Sequence, residues 1–112
     1  MNRIIDFDAR IAAADSEFPA LFQLFGGYFH QDWRLEHTTP AAALTAFIDE
    51  APPEAVREAA SELQQLLELP LDDQALSRLL RDGFDCNYRP EDDGMSPTLW
   101  LRAVQERLQP GG

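Results

Sequence analysis

Prolines and the residues beside them divide this sequence into short segments that begin like helices. Thr39 precedes Pro40, Ser96 precedes Pro97, Pro53 opens a third segment, and Asp72 is the expected cap of a fourth. A proline fits the first turn of a helix because its missing N–H would have no intrahelical partner there. A Ser or Thr just before it can accept a hydrogen bond from that turn. The chain is therefore predicted to be mainly α.

Apolar residues at helical spacing between these boundaries predict five helices. They cover residues 17–29, 39–51, 53–69, 72–83 and 96–108. The residues expected in the core are Phe22, Phe25, Phe29, Phe47, Leu63, Leu67, Leu80, Trp100 and Val104. A chain of 112 residues with 45% apolar residues can build one such core. We therefore expect a small single-domain helical bundle of about five helices.

Two features leave alternatives open. Apolar and polar residues alternate in residues 5–11 and again in residues 84–89, as in half-buried strands, so a minor two-stranded ribbon could pack on the bundle. Gly26 and Gly27 lie near the end of the first predicted helix. They indicate either that another backbone packs closely there or that the helix ends.

The single cysteine, Cys86, has no partner for an internal disulfide and no companion cysteines for a structural zinc site. Asp6, Asp8 and Arg10 interrupt the apolar residues near the N-terminus, and no later segment has the length of a membrane span. We expect a cytoplasmic protein without a signal peptide or a membrane segment.

Acidic residues dominate the charge of the chain. The net charge is −11, and residues 49–93 carry thirteen Asp and Glu against four Arg. Nucleic-acid binding needs a basic surface, so this composition argues against it. A negative field of this kind attracts a basic partner and speeds the encounter with it. The alternative is that the acidity only keeps the protein soluble.

Residues 30–37 hold the most enzyme-like group of side chains. His30, Asp32, Glu36 and His37 offer nitrogen and oxygen ligands, but their spacing matches no known metal motif. A metal-dependent enzyme centred on these four is therefore a minor alternative, and no cofactor is expected. In the structural interpretation, His30 and Asp32 end the first helix and let the neighbouring aromatic residues be buried.

The segment LFGGYFHQDW, at residues 24–33, is followed by TPAAALTAFIDE, ELQQLLEL and GMSPTLWLRAVQERL. Together these segments resemble the immunity proteins of bacterial contact-dependent growth inhibition (CDI) systems, the CdiI family. The resemblance runs from about Phe18 to Leu108, and LFGGYFHQDW is its most specific part. Residues 1–16 form an N-terminal extension outside it, and residues 109–112 are expected to fray.

The resemblance implies a cytosolic protein without enzymatic activity that binds the C-terminal toxin domain of a cognate CDI effector and blocks its active site. Toxins of such systems are often nucleases with basic clefts, which suits an acidic inhibitor that is monomeric when free. The alternative is a small acidic helical adaptor or regulator that binds another basic protein. The candidate partner-binding residues are Asp49, Glu50, Glu54, Glu58, Glu62, Asp72, Asp73, Asp85, Glu91, Asp92 and Asp93, with Asp32 and Trp33 added from the motif.

Glu54, Glu58 and Glu62 recur four residues apart on the third predicted helix. Like charges at this spacing destabilise an isolated helix by about 0.2–0.5 kcal/mol a pair, which suits a binding role. Arg57 relieves part of this repulsion, so an ordinary solvated face is the equal alternative. We expect all three to be exposed and their joint replacement by Lys to leave the helix folded.

Overall fold

The computed structural model describes residues 9–109, in which helices are joined by short connections. Seven α-helices have both ends in this range: α1 (Ala14–Glu17), α2 (Pro19–Tyr28), α3 (Trp33–Glu36), α4 (Pro40–Glu50), α5 (Pro53–Glu68), α6 (Asp73–Arg78) and α7 (Pro97–Leu108). Residues 9–12 are also helical. A π-helical turn, Leu79–Gly83, continues α6, and a 3-10 turn, Pro90–Asp93, precedes α7. The predicted mainly α, single-domain fold is confirmed.

The predicted caps form the helix starts. Thr39 Oγ1 accepts a hydrogen bond from the Ala42 amide at 3.0 Å, and Ser96 Oγ accepts one from the Leu99 amide at 3.1 Å. The Asp72 carboxylate does the same for Ala75 at 2.8 Å. Each bond satisfies an N–H that has no partner within its helix.

The first predicted helix, residues 17–29, is divided in the structure. Phe18 has φ −131° and ψ 65°, which separates α1 from α2, and Phe29 follows the end of α2. The side chain of Phe18 is buried and lies edge-on to Phe84, 6.2 Å between ring centroids. The break between α1 and α2 therefore occurs at a residue, Phe18, whose ring is buried in the core.

The core lies where α5 packs against both α2 and α7. Trp100 of α7 is the hub of an aromatic cluster, with ring centroids 5.6 Å from Phe25, 5.5 Å from Phe29 and 5.0 Å from Tyr88. Seven of the nine predicted core residues are buried: Phe25, Phe29, Phe47, Leu63, Leu80, Trp100 and Val104. The prediction was wrong for Phe22 and Leu67, which are only half-buried because they lie at the edges of their helices' inner faces.

The predicted ribbon does not form within residues 9–109. Phe84, Cys86 and Tyr88 are buried and alternate with exposed residues, as the sequence pattern indicates. The segment pairs with helix ends, however: the Asn87 amide donates to the Phe29 carbonyl at 2.8 Å. Of the other half of the ribbon, residues 9–11 are helical and residues 5–8 lie outside the described part of the chain.

Gly26 lets this extended segment approach α2. A Cβ added at Gly26 would lie 2.9 Å from the carbonyl oxygen of Phe84, whereas one at Gly27 would meet nothing within 4 Å. Close packing of another backbone therefore accounts for Gly26, and Gly27 lies one residue before the end of α2. None of the helices in residues 9–109 has the length and apolarity needed to cross a membrane.

Candidate partner-binding surface

Five of the predicted partner-binding acids hold the fold together. Their carboxylates accept hydrogen bonds within the protein: Glu50 from Tyr28, Glu62 from Leu21, Asp72 from Ala75, Asp73 from Thr98, and Asp93 from Tyr88. Replacing any of these acids would change stability as well as any contact with a partner.

Glu62 corrects the expectation that all three glutamates of α5 are exposed. Its side chain is half-buried, and Oε1 accepts a hydrogen bond at 3.0 Å from the backbone amide of Leu21, in the first turn of α2. Burial raises the pKa of Glu62 above the ordinary value, while the hydrogen bonds from the Leu21 and Ala20 amides act in the opposite direction. Glu62 thus caps α2 from another helix, so its reversal to Lys is expected to lower stability.

Six other predicted acids have exposed side chains that no described residue bonds. They are Asp49, Glu54, Glu58, Asp85, Glu91 and Asp92. A hydrated carboxylate without an internal partner contributes little to stability, so it is available to a partner. Changing their charge should affect the fold less than changing the five bonded acids, except at Asp85, whose φ of 56° disfavours most other residues, and at Glu54, which lies in the first turn of α5.

The 3-10 turn holds two of these acids in a fixed position. Tyr88 donates from its hydroxyl to Asp93 at 2.7 Å, and the Met95 amide donates to the Pro90 carbonyl at 3.0 Å. Gly94 closes the turn with φ 76°, a conformation that glycine adopts without strain. Glu91 and Asp92 therefore project from an anchored turn.

Arginines neutralise part of the acidic region at the end of α6. Arg81 Nε lies 3.1 Å from Asp82 Oδ1, and Arg78 Nε lies 3.8 Å from the other carboxylate oxygen. The hydrogen bond from Arg81 is the main reason that the pKa of Asp82 lies below its usual range. The charge of Asp82 is therefore compensated in part within the protein.

The residues suggested for a metal site bond one another and the backbone. His30 Nδ1 accepts from the Asp32 amide at 3.0 Å, and Nε2 lies 3.2 Å from Glu36 Oε1. The His37 ring stacks on Tyr28, with 6.3 Å between centroids. No group of three His, Cys, Asp or Glu side chains within residues 9–109 could hold a metal ion. The geometry therefore favours the structural interpretation of this motif.

Asp32 and Trp33 differ from their expected roles. Asp32 precedes α3, but its side chain makes no capping hydrogen bond, so the bond in the motif comes from its backbone. Trp33 is 2% exposed and packs on Phe29 and Tyr88, while the Arg34 guanidinium lies 4.4 Å above its ring. In this structure Trp33 has almost no surface to offer a partner, and Asp32 remains exposed.

Cys86 is placed to be chemically inert. It is buried, its thiol donates a weak hydrogen bond to the Tyr88 carbonyl at 3.6 Å, and burial raises its pKa to about 12. Only the thiolate is an effective nucleophile, so this cysteine is a core residue.

Exposed apolar residues are the surface feature that sequence reasoning missed. Within residues 9–109 the large apolar side chains on the surface are Leu35, Met95 and Leu99, of which Leu99 is 61% exposed. Leu99 lies one position before Trp100, so the helical pattern of α7 already turns it away from the inner face. The helical pattern does not show which residues surround Leu99 on the surface.

Two surface depressions flank the start of α7. A cleft of about 730 Å³ lies between this helix, α6 and the 3-10 turn, and its lining combines Asp72, Asp73 and Glu91 with Arg78 and Arg81. A smaller groove of about 280 Å³ lies between α7 and α4, where Leu44 and Met95 contribute to a mostly apolar lining. The start of α7 therefore lies beside both a charged depression and an apolar one.

Comparisons with known proteins agree with the resemblance seen in the sequence. The family model described as CdiI immunity protein matches residues 17–108. A chain of a solved structure, described as the crystal structure of a CdiA-CT/CdiI complex from Y. kristensenii 33638, is similar with a TM-score of 0.78 and 26% identity. The match covers 83% of this chain and 99% of that one. No curated protein matches. Because the family model matches most of its length, the chain belongs to the CdiI immunity protein family.

Proposed function

We propose that this protein binds the C-terminal toxin domain of a cognate CDI effector in the cytoplasm, covers its active-site cleft and so neutralises it. The observation that carries the proposal is the similarity to a chain from a CdiA-CT/CdiI complex over nearly the whole of that chain. Family membership supports the same role. Binding alone is enough to neutralise a toxin in this way, so this role needs no catalytic site.

We further propose that the toxin is a nuclease with a basic cleft. An enzyme that holds a polyanionic substrate needs positive charge around its active site, and an acidic protein complements that surface. The net charge of −11 and the exposed acids without internal partners support this class of target. The inhibitor would then occupy the place of the nucleic acid without binding nucleic acid itself.

Rescue of growth tests the proposal. The toxin domain encoded beside this gene is expressed from an inducible promoter, with and without this protein, and nucleic-acid integrity is followed after induction. We expect growth arrest with degraded RNA or DNA when the toxin is alone, and normal growth when this protein is present. Arrest that this protein does not relieve would contradict the proposal and favour the adaptor alternative.

A further inference from the structure

We infer that the toxin docks on one face of the protein, the α7 face, formed by Asp72, Asp73, Glu91, Asp92, Met95 and Leu99. The inference rests on the proposed function and names the surface that performs it. The partner would be a basic surface of the toxin that places an apolar group against Leu99.

An apolar centre distinguishes this face from the rest of the acidic surface. Single exposed leucines are common, but Leu99 is 61% exposed and Met95, four residues before it, is 37% exposed. Ala103, one turn after Leu99, lines the apolar groove together with Met95. Protein interfaces combine an apolar centre with a polar rim, and this arrangement supplies the centre.

The acids of this face come from two elements, α6 and the 3-10 turn, that both pack against α7. Asp73 Oδ1 accepts from the Thr98 amide at 3.1 Å, which holds the start of α6 beside Leu99. Glu91 and Asp92 lie a few residues before Met95, and neither carboxylate is bonded by a described residue. Lys or Arg side chains of a partner could reach these carboxylates while an apolar group covers Leu99.

Among residues 9–109, the other exposed acidic surface presents no large exposed apolar side chain, and the apolar depression beside it, of about 420 Å³, is bordered by Arg57 and Arg107. Glu54 and Glu58 lie on α5 with Arg57 between them, and none of the large exposed apolar residues of the described chain is on this helix. An acidic surface with no apolar centre can steer a partner but offers little area to bury. We therefore place docking on the α7 face and leave α5 outside it.

The α7 face is also held rigid before a partner arrives. Tyr88 anchors the 3-10 turn through Asp93, and Ser96 caps α7 beneath Leu99. A surface that is already ordered loses little conformational freedom on binding, which favours affinity. These hydrogen bonds therefore order the surface on which docking is proposed.

Binding kinetics with the purified toxin domain test the inference, using two matched pairs of variants of the full chain. Leu99→Ala removes the proposed apolar centre, and Leu35→Ala removes a leucine that is 85% exposed on α3. The double variant Glu91→Lys with Asp92→Lys is compared with Glu54→Lys with Glu58→Lys, which changes the net charge by the same amount. All six substituted positions are exposed, and thermal melting checks that each variant is folded.

We expect Leu99→Ala to weaken binding about tenfold or more, as for a residue at the centre of an interface, and Leu35→Ala to leave it within about twofold. Reversal of Glu91 and Asp92 should slow association about tenfold, and reversal of Glu54 and Glu58 about threefold or less. The inference requires both contrasts, so equal effects within either pair, or a larger effect at α5, would overturn it. If the parent protein itself did not bind the toxin, the proposed function would fail instead.

Discussion

At the scale of single residues, Glu62 shows why a polar position on a helix cannot be assigned to the surface by spacing alone. It continues the row of Glu54 and Glu58, yet α2 begins beside it and brings the Leu21 amide to 3.0 Å. That contact joins residues 41 positions apart in the chain, so nothing local in the sequence indicates it. Thr39, Ser96 and Asp72 were predictable as caps because each accepts its bond from a residue three positions ahead.

Variants of Glu62 test its role in the fold. Burial raises its pKa, so the charged form is disfavoured in the folded protein and that cost disappears as the pH falls through the pKa and a proton binds. Glu62→Gln keeps an oxygen for the Leu21 amide without the charge, so it should be at least as stable as the parent at neutral pH, with an advantage that shrinks on acidification. Glu62→Lys should cost about 1–3 kcal/mol because the amide loses its acceptor.

Thermal and urea unfolding at neutral and acidic pH would measure both effects. Glu58→Lys provides the control, since this exposed position lies in the interior of α5 and should shift stability by no more than about 0.5 kcal/mol. A Lys variant at position 62 as stable as this control would show that the contact to α2 is not important. A Gln variant much weaker than the parent at neutral pH would show that the charge itself stabilises α2.

At the scale of elements, the boundaries that chemistry marks locally were predictable and the contacts between elements were not. Pro40, Pro53 and Pro97 all occupy the first turns of helices, as their sequence context indicates. The alternation in residues 84–88 correctly predicted which side chains are buried. A strand also needs a neighbouring strand to accept and donate its backbone hydrogen bonds, and the pattern does not show whether one is present. The described structure provides the carbonyl of Phe29 at the end of α2 instead.

The two adjacent glycines of α2 provide a matched pair for testing this packing. Gly26→Ala should destabilise the protein by about 1–3 kcal/mol, since its Cβ would lie 2.9 Å from the Phe84 carbonyl and the backbone would have to shift. Gly27→Ala meets nothing within 4 Å and should be neutral or stabilise by up to about 1 kcal/mol, because alanine favours the helix. Urea unfolding of both variants makes the comparison. Similar stabilities would contradict the close approach of the extended segment to α2.

At the scale of the whole molecule, charge gives the class of partner but not the place where it binds. Thirteen acids in residues 49–93 predict an attraction to basic surfaces. Only the fold shows that five of the candidates are occupied by internal hydrogen bonds and that Glu91 and Asp92 lie on a turn that packs against α7. The charge of a segment can be read from the sequence alone, whereas the surface is formed by elements that are distant in sequence and meet only in the fold.

Electrostatic attraction between the two proteins should appear in the salt dependence of their association. Raising the ionic strength to physiological levels shortens the Debye length to about 8 Å, so long-range steering weakens while contacts in the formed complex are less affected. We expect the association rate constant to fall steeply and the dissociation rate constant to change less, as measured by surface-based kinetics. An association rate independent of salt would indicate that the acidity serves only solubility.

The most direct measurement of the central claim is a titration of the purified toxin domain with this protein while the toxin's activity on nucleic acid is followed. If the protein binds tightly and covers the active site, activity should fall in proportion to the inhibitor added and reach zero near one equivalent. A mutant toxin that retains the fold but lacks activity should compete for the inhibitor and restore activity. Full toxin activity in the presence of excess folded protein would contradict the account.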